Sequence, residues 1–233
     1  MMRETVRPSI AMPKLFTIGH STRTFEEFAS ILEAHGVSVL VDVRTVPRSR
    51  RVPQFNADAL ARDLARRGIE YVPMPELGGL RKARKDSINL GWRNQSFRGY
   101  ADYMQTPAFQ AGLEQLIEVA SSRPTAIMCA EAVPWRCHRS LIADAMIARG
   151  WKVMDLMGPH SAKEHKLTDF AKVQGTKVTY PVISSEYGPA ESSTSASQNP
   201  GSRVRAAGKA PESGPEAGGR KPGRGRRRSS TGQ

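Results

Sequence analysis

Residues 13–183 predict a single three-layer α/β domain with a mainly parallel sheet of about five strands, followed by a disordered C-terminal tail. Three observations carry this reading. Strand-like apolar runs alternate with amphipathic helical stretches in the order βαβαβαβαβ, which is the pattern of a parallel sheet with helices on its faces. The strand candidates are continuous β-branched runs such as VSVLVDV, suited to strands covered on both sides. The composition also breaks after TYPVIS, where large apolar side chains give way to Ser, Gly, Pro, Ala and Arg.

The elements follow in order. KLFTIG (14–19) reads as a short strand, and TFEEFASILEAHG (24–36) as a helix with Thr24 as N-cap, Glu27 at the capping-box position and Gly36 as stop. VSVLVDV (37–43) is a second strand, and NADALARDLARRG (56–68) a second helix, capped by Asn56 with Leu60 and Leu64 on one face. IEYVPM supplies a third strand. In TPAFQAGLEQLIEVASS (106–122), Thr106 is the cap and Pro107 the first helical residue, with Phe109, Leu113, Leu116 and Ile117 forming one stripe. TAIMCA (125–130) is a fourth strand, the next helix runs from Pro134, and WKVMDLM (151–157) is a fifth strand.

Residues 76–105 break this rhythm, and a connection of such length inside a compact domain is more often functional or lid-like than idle. Its basic residues Arg81, Lys82, Arg84 and Lys85 lie among Trp92, Phe97, Tyr100 and Tyr103. That mixture can stack bases and hold phosphates, or the aromatic residues can simply anchor the loop to the core.

The formal charge is +13, which favours phosphate-rich partners. Residues 184–233 carry nine Lys/Arg against four Glu, or +5 of this total, and lack the apolar side chains that would offset the entropy of ordering them. This tail either grips nucleic acid or is a solvated basic segment. Residues 1–12 read as a flexible leader. The start lacks the apolar middle of a signal peptide and no run approaches the ~20 residues that cross a bilayer, so a cytoplasmic protein without membrane association is expected. Its two cysteines, Cys129 and Cys137, are then expected as thiols.

Ligands of parallel α/β sheets bind beyond the carboxyl ends of the strands. Strand one ends at His20 and Ser21, strand two at Asp42 and Arg44, and strand four at Cys129 and Glu131. Arg136, Cys137, His138, Arg139 and Ser140, in the first turn of the following helix, overhang the same edge. At 100° per residue Cys137 and His138 share the inward stripe with Leu141 and Ala145. A thiol at a helix N-terminus beside arginines favours its thiolate, an adjacent His exchanges protons near neutral pH, and free helix N–H groups with arginines hold an anion. Glu131, His138, Cys137 and Asp42 are therefore the candidate catalytic residues, and His20, Ser21, Arg44, Arg136, Arg139, Ser140 and Tyr100 the candidate ligand-binding ones. The bland alternatives are a packed Cys137, a core His138 and a structural polar network. The spacing C-x7-C-H matches no established zinc pattern, so no metal site is expected, and neither a P-loop nor a dinucleotide fingerprint is present.

TIGHSTRTFEEF, LVDVRTVPRSR, ELGG, FRGYADYM, MCAEAVPWRCHRSLIAD and EHKLTDFA occur in that order, and over about residues 14–181 they resemble the domain-of-unknown-function 488 family. The resemblance implies a small α/β domain with His20, Ser21, Asp42, Arg44, Glu131, Cys137, His138 and Arg139 as site positions. It implies no reaction and no cofactor. One departure is Val133, which stands before the proline of the CAE turn where the family often has an acid. A weaker resemblance is to rhodaneses, where DVR ends one strand and a catalytic cysteine another, as Cys129 does here, but AEAVPWR lacks their Gly-containing anion cradle. The sequence thus points to an enzyme acting on a phosphorylated, nucleotide or nucleic-acid ligand. The alternative is a non-catalytic nucleic-acid-binding or accessory protein that uses its basic loop and tail.

Overall fold

The structure, a computed structural model, describes residues 12–182. The leader up to residue 11 and the basic tail lie outside the described residues. Strands β1 (Lys14–Gly19), β2 (Val39–Asp42), β3 (Glu70–Pro73), β4 (Thr125–Cys129), β5 (Lys152–Gly158) and β6 (Ser161–Glu164) form one sheet in the order β3-β2-β4-β1-β5-β6. The first five are parallel, as expected. β6 runs antiparallel to β5, and a separate hairpin joins β7 (Lys172–Gln174) to β8 (Lys177–Thr179).

Helices α1 (Phe25–Ala34) and α2 (Ala57–Ala65) cover one face, where Phe28, Leu32, Leu60 and Leu64 pack on Ile18, Leu40 and Met128. Helices α3 (Gln95–Tyr103), α4 (Pro107–Ser122) and α5 (Arg139–Ile147) cover the other, where Leu113, Leu116, Leu141 and Ile142 pack on Leu15, Val41 and Ile127. β2 is buried throughout, which is why its run is apolar rather than alternating. Each fully buried Leu removed from water is worth about 1.5–3 kcal/mol, so these two interfaces dominate the stability of the domain.

Local signals decide where elements begin. Thr24 and Glu27 form the expected capping box, and Thr106 caps α4 above Pro107. Gly36 and Gly68 stop α1 and α2 at φ of 67° and 70°, a left-handed turn that favours glycine. Asn56 precedes α2 but does not cap it with its side chain: Oδ1 instead accepts from the Ser49 N–H at 2.6 Å, tying down the loop after β2.

Two expectations are corrected. The long connection is not loop throughout, since Asn94 accepts from the N–H groups of Ser96 and Phe97 and starts α3. The helix after β4 does not begin at Pro134 either. Pro134–Arg136 is one 3-10 turn, Cys137 is extended, and α5 starts at Arg139 with His138 as its N-cap. Val133 carries no side-chain acceptor, so nothing nucleates a longer helix there. Cys137 and His138 therefore reach the sheet edge from an extended turn rather than from a helical stripe.

Strand order fixes where a ligand can enter. β1 connects through α1 towards β2 on one face, and β4 connects through α5 towards β5 on the other. These neighbouring strands send their chains in opposite directions, and a crevice opens between their carboxyl ends.

Candidate active site

A cleft of about 680 Å³ lies at this switch point. Backbone pairing continues past the strands beneath it: the His20 N–H donates to the Cys129 carbonyl at 3.0 Å, and the Ser21 N–H to that of Ala130 at 2.9 Å. Ser21 is held at φ 52°, the single non-glycine residue at positive φ among the described residues. Such strain persists where the surroundings over-determine it, and it concentrates at functional sites.

Cys129, Cys137 and His138 meet on the cleft wall, with one ligand-type atom from each lying within 4.8 Å of the others. His138 Nε2 is 3.0 Å from the Val43 carbonyl, an acceptor only, so Nε2 carries a hydrogen and Nδ1 faces both sulfurs, at 3.9 Å (Cys129) and 3.7 Å (Cys137). The Tyr100 ring is tilted against the imidazole at 5.0 Å. Gly79 passes so near on another side that a Cβ there would lie 2.4 Å from Nδ1. The hydrogen bond from Cys137 is the chief influence holding Cys129 well below the ordinary thiol range, and it outweighs burial. The same bond, with burial, pushes Cys137 up.

Arg44 rises from the floor in a network. Its Nε and Nη2 pair with Asp42 at 2.9 and 2.6 Å, Nη2 also donates to the Phe55 carbonyl, and Nη1 donates to His20 Nε2 at 3.2 Å. Of the five guanidinium hydrogens four are thus occupied, and one remains for the cleft. Burial tends to lower the pKa of Arg44, but the Asp42 carboxylate more than compensates and raises it. His20 stacks on Phe55 at 4.3 Å, and burial, with the Arg44 charge, lowers its pKa, which matches a neutral ring accepting from Arg44.

Seven of the eleven candidate residues line the cleft: His20, Ser21, Arg44, Glu131, Arg136, Cys137 and His138. The other four stand behind it. Asp42 is 1% exposed and anchors Arg44, with Tyr71 donating at 2.7 Å to the Oδ2 that also accepts from Arg44. Arg139, expected to overhang the crevice, is equally buried, and its guanidinium grips the carbonyls of Glu131 and Ala132. Ser140 donates to the Cys137 carbonyl, and Tyr100 to that of Leu77. No row of free helix N–H groups faces the cleft, because those of Ser140 and Leu141 already donate to the carbonyls of Cys137 and His138.

A model described as Domain of unknown function DUF488 matches residues 24–146. The chain belongs to the DUF488 family. No curated protein and no solved structure matches it. The DUF488 match spans Asp42, Arg44, Cys129, Glu131, Cys137 and His138 but begins after His20 and Ser21, so the β1 side of the cleft lies outside it.

In this DUF488 chain the basic, aromatic connection chiefly packs. Tyr100 is fully buried, and Trp92 stacks with Phe97 at 4.6 Å and meets Phe170 and Tyr180 edge-on or tilted. Arg81 lies 3.6 Å over the Tyr103 ring, and Arg84 pairs with Asp86. Only Phe97 of these aromatic residues reaches the cleft, beside Ser96, Gly79 and Leu80. Arg51, Leu80 and Gly79 are cleft residues missing from the sequence-based set, as is Cys129, although its place at a strand end was legible. Arg51 sits in a loop with no periodic signal, where its backbone N–H donates to Ser49 Oγ at 3.1 Å.

Proposed function

We propose that this protein is an enzyme acting on a phosphorylated or nucleotide-like ligand at the carboxyl edge of the sheet. One observation carries the reading: a cleft lined by Arg44, Arg51 and Arg136 with Glu131 as its only carboxylate also exposes Cys129, Cys137 and His138. Arg51 and Arg136 make no ion pair among the described residues, so their charge is available to an anion. Exposed Val46 and Leu80 add an apolar rim for the uncharged part of such a ligand. Glu131 is the acid–base group, and the thiols and imidazole supply the reactive centre. A cytoplasmic setting, expected from the sequence, suits free thiols, and no described helix is long and apolar enough to cross a membrane.

The test is incubation of the full chain with a fractionated metabolite extract, followed by mass spectrometry. The wild-type protein is expected to consume one or a few phosphorylated species, whereas Glu131→Gln binds them without turnover and Arg136→Ala loses binding. An extract left unchanged by a protein that retains no anionic ligand removes the proposal. A second reading, non-catalytic nucleic-acid binding, draws on the exposed Arg48, Arg50 and Arg51 beside the cleft. It predicts a steep loss of polynucleotide affinity with salt, insensitive to Glu131→Gln.

A further inference from the structure

We infer that Cys129, Cys137 and His138 are the protein ligands of a zinc site whose fourth position opens on the cleft. The sequence spacing argued against a metal, because C-x7-C-H fits no known ligand pattern, but the fold removes that objection. β4 ends at Cys129, and the 3-10 turn folds the chain back so that Cys137 and His138 face it. In a tetrahedral site with Zn–S near 2.3 Å and Zn–N near 2.0–2.1 Å, neighbouring ligand atoms stand about 3.5–3.8 Å apart. The sulfur-to-Nδ1 distances here are 3.9 and 3.7 Å, near that span, and all three atoms lie within 4.8 Å of one another, so closing on an ion asks the two sulfurs to draw together by at most about 1 Å.

The surroundings are those of a metal-binding imidazole. Nε2–H is anchored on the Val43 carbonyl, which fixes the tautomer and aims the Nδ1 lone pair at both sulfurs, as outer groups do around zinc-bound histidines. The ring cannot swing away, with Tyr100 on one side and Gly79 on another, where even a methyl group would collide. A packed core histidine has no need of a ring nitrogen directed at two sulfurs. Two thiolates and an imidazole select zinc over magnesium or calcium. Three protein ligands with the remaining direction open to ligand are the arrangement of a catalytic zinc, not a closed structural one.

Metal binding itself does not depend on the proposed function. Only its chemical use does, and that part rests on the enzyme reading: zinc would bind and polarise water or a ligand oxygen beside Arg136 and Glu131.

The test exploits the fact that the chain has two cysteines, both here. Reduced full-length protein is loaded with Zn²⁺, freed of excess, and assayed for metal per chain and for thiol reactivity. The expected result is one zinc per chain with both thiols protected, and full reactivity after chelation. Cys129→Ser and Cys137→Ser should each weaken binding at least a hundredfold, and Co²⁺ in place of Zn²⁺ should show thiolate charge-transfer absorbance that falls in either variant. Circular dichroism confirms folding, and the wild-type thiol-protection measurement stands even if a variant fails to fold. Thiols that stay reactive in the presence of Zn²⁺, or a zinc retained by the double Cys→Ser variant, overturn the inference. Zinc bound normally by a protein that neither holds nor converts an anion would sink the enzyme reading instead.

Discussion

His165→Gln should remove a pH-dependent contribution to stability that the wild-type protein has near neutral pH and loses as the pH rises towards 9. His165 stands between two carboxylates, with Nδ1 2.8 Å from Asp155 and Nε2 3.7 Å from Asp144, and its side chain is 9% exposed. Burial works against the charged ring, but the two carboxylates outweigh it and raise its pKa from 6.5 to about 9. Between those values the folded chain holds a proton on His165 that the unfolded chain has released, so the stability this group contributes is greatest below 6.5 and falls by about 1.4 kcal/mol per pH unit as pH rises towards 9. The whole effect is about 3 kcal/mol, a ceiling set by partial solvent access. Tyr180, which donates to Asp144, is held well above its ordinary pKa chiefly by burial and stays protonated across the window. Urea unfolding followed by tryptophan fluorescence should show the variant less stable by about 3 kcal/mol at pH 6, with the gap closing to under about 1 kcal/mol at pH 10. A gap that is constant with pH, or absent at pH 6, would refute the reasoning. The experiment also asks whether residues beyond 146, where the family match stops, are integral to the domain, since Asp144 on α5 also accepts from Thr168 and Tyr180.

Two substitutions separate positioning from contact at the cleft. Asp42→Asn leaves the buried Arg44 guanidinium without its counter-ion and should cost about 3–5 kcal/mol, measured by urea unfolding, whereas exposed Arg136→Ala should change stability by less than about 0.5 kcal/mol. Gly79→Ala forces a methyl group to within 2.4 Å of His138 Nδ1 and should lower zinc affinity by on the order of tenfold in a competition titration. An unchanged zinc affinity would show that the ring does not sit where the structure has it.

Local chemistry made much of the fold legible. The Thr24/Glu27 capping box, Thr106 before Pro107, and the glycine stops at 36 and 68 each act through neighbours a few residues away, and each stands in the structure. What the sequence concealed depends on distant partners. β6 is short and largely exposed, and only pairing with β5 holds it. α3 was hidden in a polar, basic stretch because its inward face relies on Tyr100 meeting Leu77 and Phe109. The rule about strand ends places Cys129, Glu131 and Arg44 at one sheet edge, and all three line the cleft. The same rule could not tell which polar groups turn inward, so Asp42 and Arg139 were placed in the cleft when both brace it from behind.

That bracing says how the site divides its labour. Had α5 begun at Pro134, its first N–H groups would have faced the crevice and bound an anion by themselves. Instead Arg139 fastens the carbonyls of Glu131 and Ala132, and the 3-10 turn and extended Cys137 delay the helix until His138. On the proposed reading, anion binding falls to long side chains, Arg51 and Arg136, which are exposed and can follow ligands of different shape. The sulfur and imidazole groups are held the opposite way, by a strand end, a backbone carbonyl and a glycine with no room for a side chain. If the proposed enzyme reading holds, rigid reactive groups under adaptable charged ones offer a single reaction to several anionic ligands, so substitutions at Arg51 and Arg136 should shift ligand preference while Cys129, Cys137 and His138 tolerate no replacement.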